Sequence, residues 1–336
     1  MKVAVIGAGG VGSYYGALLA RAGHQVHFLL RRDLEAVREN GLTIRSHLGD
    51  FTLPGAIAAA TPAEIGPADL VICSLKTTAL SDARRLVEPC LAPASDLVLL
   101  MNGFGIEEQF ATWFPAVPIF GGMAFVCINR GDPGVVHHLD YGRLTIGRLG
   151  DDPRRLARLH SLLSEAGMDV VSASNLRHAR WEKLCWNVPF SGIGVAAGGI
   201  GTATVLGRPD LRDMARRAIE DVVRAANADL AALNSSATLD TADMVESMFS
   251  RTATMGDYRA SMVIDFVCGN AIESEAILGA PVLRARELGV EVPTMEAIWA
   301  MAHTQQAIRD GEITPFTPAN VVAGLSPAGA QAKPES

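Results

Sequence analysis

The chain has 336 residues, 49% of them hydrophobic, with a formal net charge of −7. That length supports two cores of ordinary size, and the acidic balance excludes a nucleic-acid-binding face, which needs clustered Lys and Arg. The cysteines, Cys73, Cys90, Cys127, Cys185 and Cys268, are scattered and form no C-x-x-C pair, which fits reduced thiols and offers no metal site.

Lys2–Ile6 is a short apolar run that leads straight into Gly7-Ala8-Gly9-Gly10-Val11-Gly12. A strand followed at once by G-x-G-x-x-G is the dinucleotide fingerprint. Gly7 allows the tight turn, Gly9 lets the backbone approach a pyrophosphate, and Gly12 lets the next helix pack closely on the strand. Ala8, Gly10 and Val11 complete the cofactor-facing turn. The helix is predicted over Gly12–Ala22 with Gly23 as its stop, and its N-terminus offers free N–H groups and the positive dipole end to phosphates. Gln25–Leu30 is the second predicted strand. NAD sites usually end this strand with Asp or Glu; here it ends in Arg31-Arg32, and a guanidinium suits a 2′-phosphate. The expected cofactor is therefore NADP(H), with Asp33 close enough to keep an NAD-type contact open.

Leu70–Leu75 and Asp96–Met101 are near-continuous apolar strands, which predicts a parallel sheet covered on both faces. Ile119–Val126 and Arg143–Ile146 are further strands, and Pro153–Ala166 is a helix. Ligands of open α/β sheets bind beyond the carboxyl ends of the strands. Lys76 follows the first of these strands and can neutralise a phosphate or carboxylate. Asn102, before Gly103, can hydrogen-bond the nicotinamide ribose or a substrate.

From about Asn175 the pattern turns helical. Lys183, Asn187 and Ser191 are spaced i, i+4, i+8 and share one helix face. A desolvated Lys has its pKa pushed down, which suits proton transfer near neutral pH; the structural alternative pairs it with Glu182 or Glu273. Pro189 should bend this helix. Asp210–Leu233, Thr241–Phe249, Ala271–Leu288 (with Pro281 as a break or kink) and Thr294–Asp310 are further helices. Asn270-x-x-Glu273 is also a capping pattern, so Glu273 has a structural job available. Val3–Ala20 and Leu184–Gly207 carry no charge and are long enough to span a bilayer, but their glycines, with Asn187, Pro189 and Ser191 in the second, mark them as buried segments of a soluble protein. With no cleavable-signal pattern, a cytoplasmic location is expected. Leu325–Ser336 reads as a disordered tail. The predicted class is α/β: an N-terminal Rossmann dinucleotide-binding domain over residues 1–172, an all-α C-terminal domain over 173–324, and a tail over 325–336.

Taken together, the glycine turn at 7–12, Arg31, Lys76, Asn102-Gly103, Lys183-x-x-x-Asn187, Ser261-Met262-x-x-Asp265 and Glu273 resemble the ketopantoate reductases (2-dehydropantoate 2-reductases) over about residues 1–320. The resemblance implies NADPH-dependent reduction of the 2-oxo acid ketopantoate to pantoate, in a cleft between a Rossmann domain and a helical domain. It implies cofactor contacts from Gly7, Gly9, Gly12 and Arg31. Lys183 would be the general acid, and Asn102, Asn187, Ser261 and Glu273 would position the substrate. Ser191 departs from the family, which often has Asn there to help hold the substrate's hydroxyl end, so the identity of the 2-oxo acid stays open. The rivals are a reductase of another branched 2-oxo acid and a non-catalytic NADP-binding sensor. No membrane or nucleic-acid partner is expected, and the sequence leaves monomer and homodimer open.

Overall fold

The computed structural model describes residues 1–150 and 152–315. The predicted tail and the last residues of the predicted C-terminal domain lie outside them. One sheet holds ten strands: β1 (Lys2–Ile6), β2 (Gln25–Leu29), β3 (Leu42–Ser46), β4 (Phe51–Leu53), β5 (Ile57–Ala59), β6 (Ala68–Cys73), β7 (Leu91–Leu99), β8 (Ile119–Arg130), β9 (Val135–Arg148) and β10 (Val170–Ser172). Their order is β4-β3-β9-β8-β7-β6-β1-β2-β5, with β10 also paired to β9. Val3, Ala4, Val5 and Ile6 are fully buried, as a central strand flanked on both edges and covered on both faces requires.

The sheet is mixed, which corrects the expectation of a parallel one. The run β5-β2-β1-β6-β7-β8 is parallel, but β9 returns antiparallel to β8, and β3 and β4 form an antiparallel pair. The β8–β9 connection is a short turn that ends at Gly134, whose φ of +81° suits glycine. Hydrophobic periodicity reports burial and is silent on strand direction. β8 pairs with β7 only through Ile119, Phe120 and Gly121. Its remaining residues run past the carboxyl end of β7 and, with β9, form an arm that β3 flanks through its parallel pairing with Val135–His138.

Helices Gly10–Arg21 and Pro153–Glu165 cover one face, through Tyr14, Leu18, Leu159 and Leu163. Helices Leu80–Val87 and Ile106–Trp113 cover the other, through Ala83, Val87, Ile106 and Phe110. A third core lies among helices Leu176–Trp186, Pro209–Ala232, Thr241–Ala253, Ser261–Val267, Ala280–Glu287 and Pro293–Arg309. Among the described residues no helix is long and apolar enough to cross a membrane.

Two π turns interrupt the helical half, at Asn187–Gly192 and Glu275–Gly279. Pro189 accordingly widens its helix instead of ending it. The helix predicted from Ala271 starts only at Ser274. In the i→i+5 register of a π turn the carbonyl of Ala276 would look to residue 281, which is Pro281 and has no N–H. That carbonyl instead accepts from Phe104 N at 2.9 Å, which docks the turn after β7 onto the helical half. A Cβ on Gly103 would stand 2.6 Å from Ala276 Cβ, so the approach needs glycine.

Candidate active site

The glycine turn fits a dinucleotide. Gly7 has φ +88°, and a Cβ there would meet Leu75 N at 2.7 Å. A Cβ on Gly12 would lie 2.1 Å from Ser74 Oγ and 2.8 Å from Gly7 O. A Cβ on Gly9 would meet nothing nearer than Gly7 O at 3.9 Å, so open space lies above the turn. The first amides of the helix, which begins at Gly10, Val11 and Gly12, lack intrahelical partners. Ala8 is buried, its N–H 3.4 Å from Leu29 O, and Ser13 donates to its carbonyl. Beyond β2, Arg31 is exposed and its guanidinium makes no hydrogen bond or ion pair among the described residues. Asp33 is held by Arg130, Nη2 to Oδ2 at 2.5 Å. Both the space and the free guanidinium suit a phosphorylated adenosine ribose.

Lys183 lies in the helix Leu176–Trp186, whose N-terminus is capped by Asn175 accepting from His178 N. Its ammonium donates to Ala124 O on β8 at 3.0 Å and sits 5.0 Å from the Phe125 ring centre and 6.0 Å from that of Trp186. Among the described residues it has no ion pair, so the expected alternatives Glu182 and Glu273 are not its partners. Loss of hydration lowers its pKa to about 8, and the nearby charges of Arg180 and Arg251 push the same way. Asn187 and Ser191 follow at the π turn, 5% and 4% exposed, their side chains making no hydrogen bond among the described residues. The turn's extra residue offsets Ser191 from the strict i, i+4, i+8 face. Nearly buried polar groups without partners are suited to a ligand.

Across the cleft, Glu273 is 5% exposed. It accepts from Thr77 N at 2.8 Å and Thr77 Oγ1 at 3.0 Å. It therefore reaches over to the segment after β6, and the capping role expected for it is absent. Burial raises its pKa, against the lowering effect of the Thr77 bonds and the Lys76 charge. Lys76 Nζ bonds both carboxylate oxygens of Asp265 at 2.6 Å. Asn102 is half-buried beside the turn docked on Ala276, and Ser261 is exposed at the start of its helix. The structure thus gathers Lys76, Asn102 and Glu273 where the ends of β6 and β7 face the helical half. Lys183 stands against the β8–β9 arm.

Sequence reasoning missed Thr77, Ala124 and the role of Asp265. It also missed Arg180, 3% exposed, which pairs with Glu107 and donates to Met101 O at 2.8 Å, just before Asn102. The readable signal was an Arg on the otherwise apolar side of the Lys183 helix, since a buried cation needs a partner. Among the described residues no group of three or more His, Cys, Asp or Glu is placed to hold a metal ion.

The family model described as ketopantoate reductase PanE/ApbA matches residues 3–151, and its C-terminal counterpart matches residues 175–306. A 2-dehydropantoate 2-reductase of Nostoc sp. is 33% identical over 304 residues, covering 89% of this chain and 93% of the relative. The crystal structure of 2-dehydropantoate 2-reductase from Geobacter metallireducens is 39% identical, with TM-score 0.86, covering 90% of this chain and 99% of that one. A D-mandelate dehydrogenase bound to NADH and anilino(oxo)acetate shares the fold at TM-score 0.82 and 21% identity, over 92% of this chain and 100% of that one.

Proposed function

The chain belongs to the ketopantoate reductase family, and from that premise we propose that it reduces 2-dehydropantoate to pantoate with NADPH in the cytoplasm, Lys183 serving as proton donor. It is an oxidoreductase acting on a CH–OH group. The observation that carries the assignment of roles is Lys183 itself: a desolvated ammonium with one carbonyl partner and a pKa near 8, on the same helix as the unpartnered Asn187.

Bound NADPH supplies the hydride. The residues do the rest. As the C2 carbonyl oxygen gains charge, the Lys183 ammonium stabilises it and transfers a proton to it, leaving a neutral amine. Asn187 and Ser191 offer polar groups to the substrate from the π turn. Asn102 and Ser261 hold its carboxylate, and Glu273, fixed by Thr77, accepts from its hydroxyl. Gly7, Ala8, Gly9, Gly10, Val11 and Gly12 seat the pyrophosphate; Arg31 meets the 2′-phosphate, and Lys76 and Asn102 complete the cofactor contacts.

A second reading, a 2-oxo acid without the primary hydroxyl, is favoured by Ser191 and by the rings around the proton donor, where Phe125 also packs 4.8 Å from Tyr141. Loss of NADPH absorbance with ketopantoate and with 2-oxoisovalerate, in parallel, separates the two. Faster turnover of ketopantoate supports the proposal. Turnover of 2-oxoisovalerate alone replaces it with the second reading, and tight NADPH binding without turnover of either acid sinks both.

A further inference from the structure

We propose that Arg130, at the end of β8, sets the preference for NADP(H) over NAD(H) by occupying the carboxylate of Asp33. The inference rests on the NADP(H) reading above.

Asp33 stands at the N-cap of helix Leu34–Asn40, where an aspartate normally accepts from the amides of its own helix. Here it makes no such bond. Its carboxylate is turned toward the arm. Oδ2 lies 2.5 Å from Arg130 Nη2, and Oδ1 lies 3.4 Å from Arg32 Nε. Oδ1 is sealed from solvent yet accepts no well-formed hydrogen bond. The Asp33 side chain is 12% exposed, against 39% for Arg130 and 62% for Arg32. The guanidinium of Arg32 also donates to Gly131 O at 3.4 Å, beside Arg130. The stem of Arg130 lies near the glycine turn, where its Cγ would be 4.0 Å from a Cβ added at Gly10, outside Ile128 Cγ2 at 2.6 Å. Its head therefore hangs between the pyrophosphate cradle and the end of β2.

An acidic residue at the end of this strand binds the ribose 2′-hydroxyl of NAD, and an arginine there binds the 2′-phosphate of NADP. This chain carries both types within three residues, Arg31 to Asp33. Arg130 decides between them. While it holds Asp33, the corner carries three guanidiniums against one carboxylate. Arg31 and the outer N–H groups of Arg130 then meet a phosphate dianion in the fork geometry suited to it. Without Arg130, Asp33 is a nearly buried acceptor with one sealed, under-used oxygen. It would accept a hydroxyl and repel a phosphate.

The test uses the full chain and equilibrium binding. Kd is measured for NADPH and NADH by nucleotide fluorescence, and for adenosine 2′,5′-bisphosphate and AMP by displacement, with wild type, Arg130→Met, Arg130→Lys and the double variant Asp33→Asn/Arg130→Met. Arg130→Met should weaken NADPH and the bisphosphate by about tenfold, the scale of one lost charged contact. It should leave NADH as tight or tighter. Arg130→Lys should keep most of the preference. Adding Asp33→Asn should remove any gain for NADH and return part of the affinity for NADPH. Equal weakening of both nucleotides by Arg130→Met, or an unchanged ratio, overturns the inference while leaving the NADP(H) reading intact. A wild-type protein that binds NADH as tightly as NADPH overturns both.

Discussion

Lys183 carries the most chemistry of any single residue. Its ammonium has one carbonyl partner and no counter-ion among the described residues, so burial and the Arg180 charge act on it almost unopposed and bring its pKa to about 8. Reduction needs the protonated form. The kcat/KM for the 2-oxo acid should be level below that pKa and fall about tenfold per pH unit above it. Oxidation of the hydroxy acid needs the neutral amine and should rise about tenfold per pH unit below that pKa and level off above it. A reductive profile with no alkaline limb between pH 7 and pH 10 would show that another group supplies the proton. Lys183→Ala should lower kcat by about 10²-fold or more, the usual scale for loss of a general acid. A variant within a few-fold of wild type removes Lys183 from that role.

At the scale of elements, β1, the helix after it and β2 were legible to within two residues, because a buried strand and a glycine turn leave strong local patterns. The long helices were legible too, from their 3.6-residue spacing. β4, β5 and β10 escaped, since three residues cannot display a period, and β3 escaped because it buries only Leu42 and Ile44. The β8–β9 arm was read as two separate strands, Ile119–Val126 and Arg143–Ile146. Between them lie Arg130, Asp132, His137 and Asp140, which look like loop but are strand and turn residues of a half-exposed hairpin. Asn270-x-x-Glu273 obeyed a local capping rule that a tertiary partner, Thr77, overrode. Among the site residues, the types and their order were legible, but the ion pairs that hold them were not, because their members are far apart in sequence: 189 residues for Lys76 and Asp265, 97 for Arg130 and Asp33. The turn itself is open to a stability test. In Gly12→Ala the new methyl would lie 2.1 Å from Ser74 Oγ and 2.8 Å from the Gly7 carbonyl, and backbone cannot yield as a flexible side chain can. The cost should be about 1–3 kcal/mol or more by urea unfolding, with NADPH binding lost as well. An unchanged midpoint would mean that the strand and helix can separate at no cost.

At the scale of the molecule, the sheet and the helical half are locked by a buried ion pair. Arg180 and Glu107 are 3% and 1% exposed, and a Cβ on Gly121 would stand 2.2 Å from Glu107 Oε1. Removing one partner strands the other charge, so Arg180→Met should destabilise by about 3–5 kcal/mol, with Glu107→Leu/Arg180→Met recovering much of it. Because the Arg180 charge also holds the Lys183 pKa down, the alkaline limb should move upward in any folded variant lacking it. Chemical denaturation and the pH profile read these two effects independently, and a stability loss under 1 kcal/mol would show that Glu107 finds another partner.

The outermost strands of the sheet, β4, β5 and β10, have three residues each. A margin that short presents too few free amides and carbonyls to recruit a foreign strand. In a chain with 49% hydrophobic residues, such short margins remove the template that edge-to-edge pairing of two copies would need. Lengthening any of these three margins by two or three β-branched residues would be expected to increase edge-to-edge association of the protein.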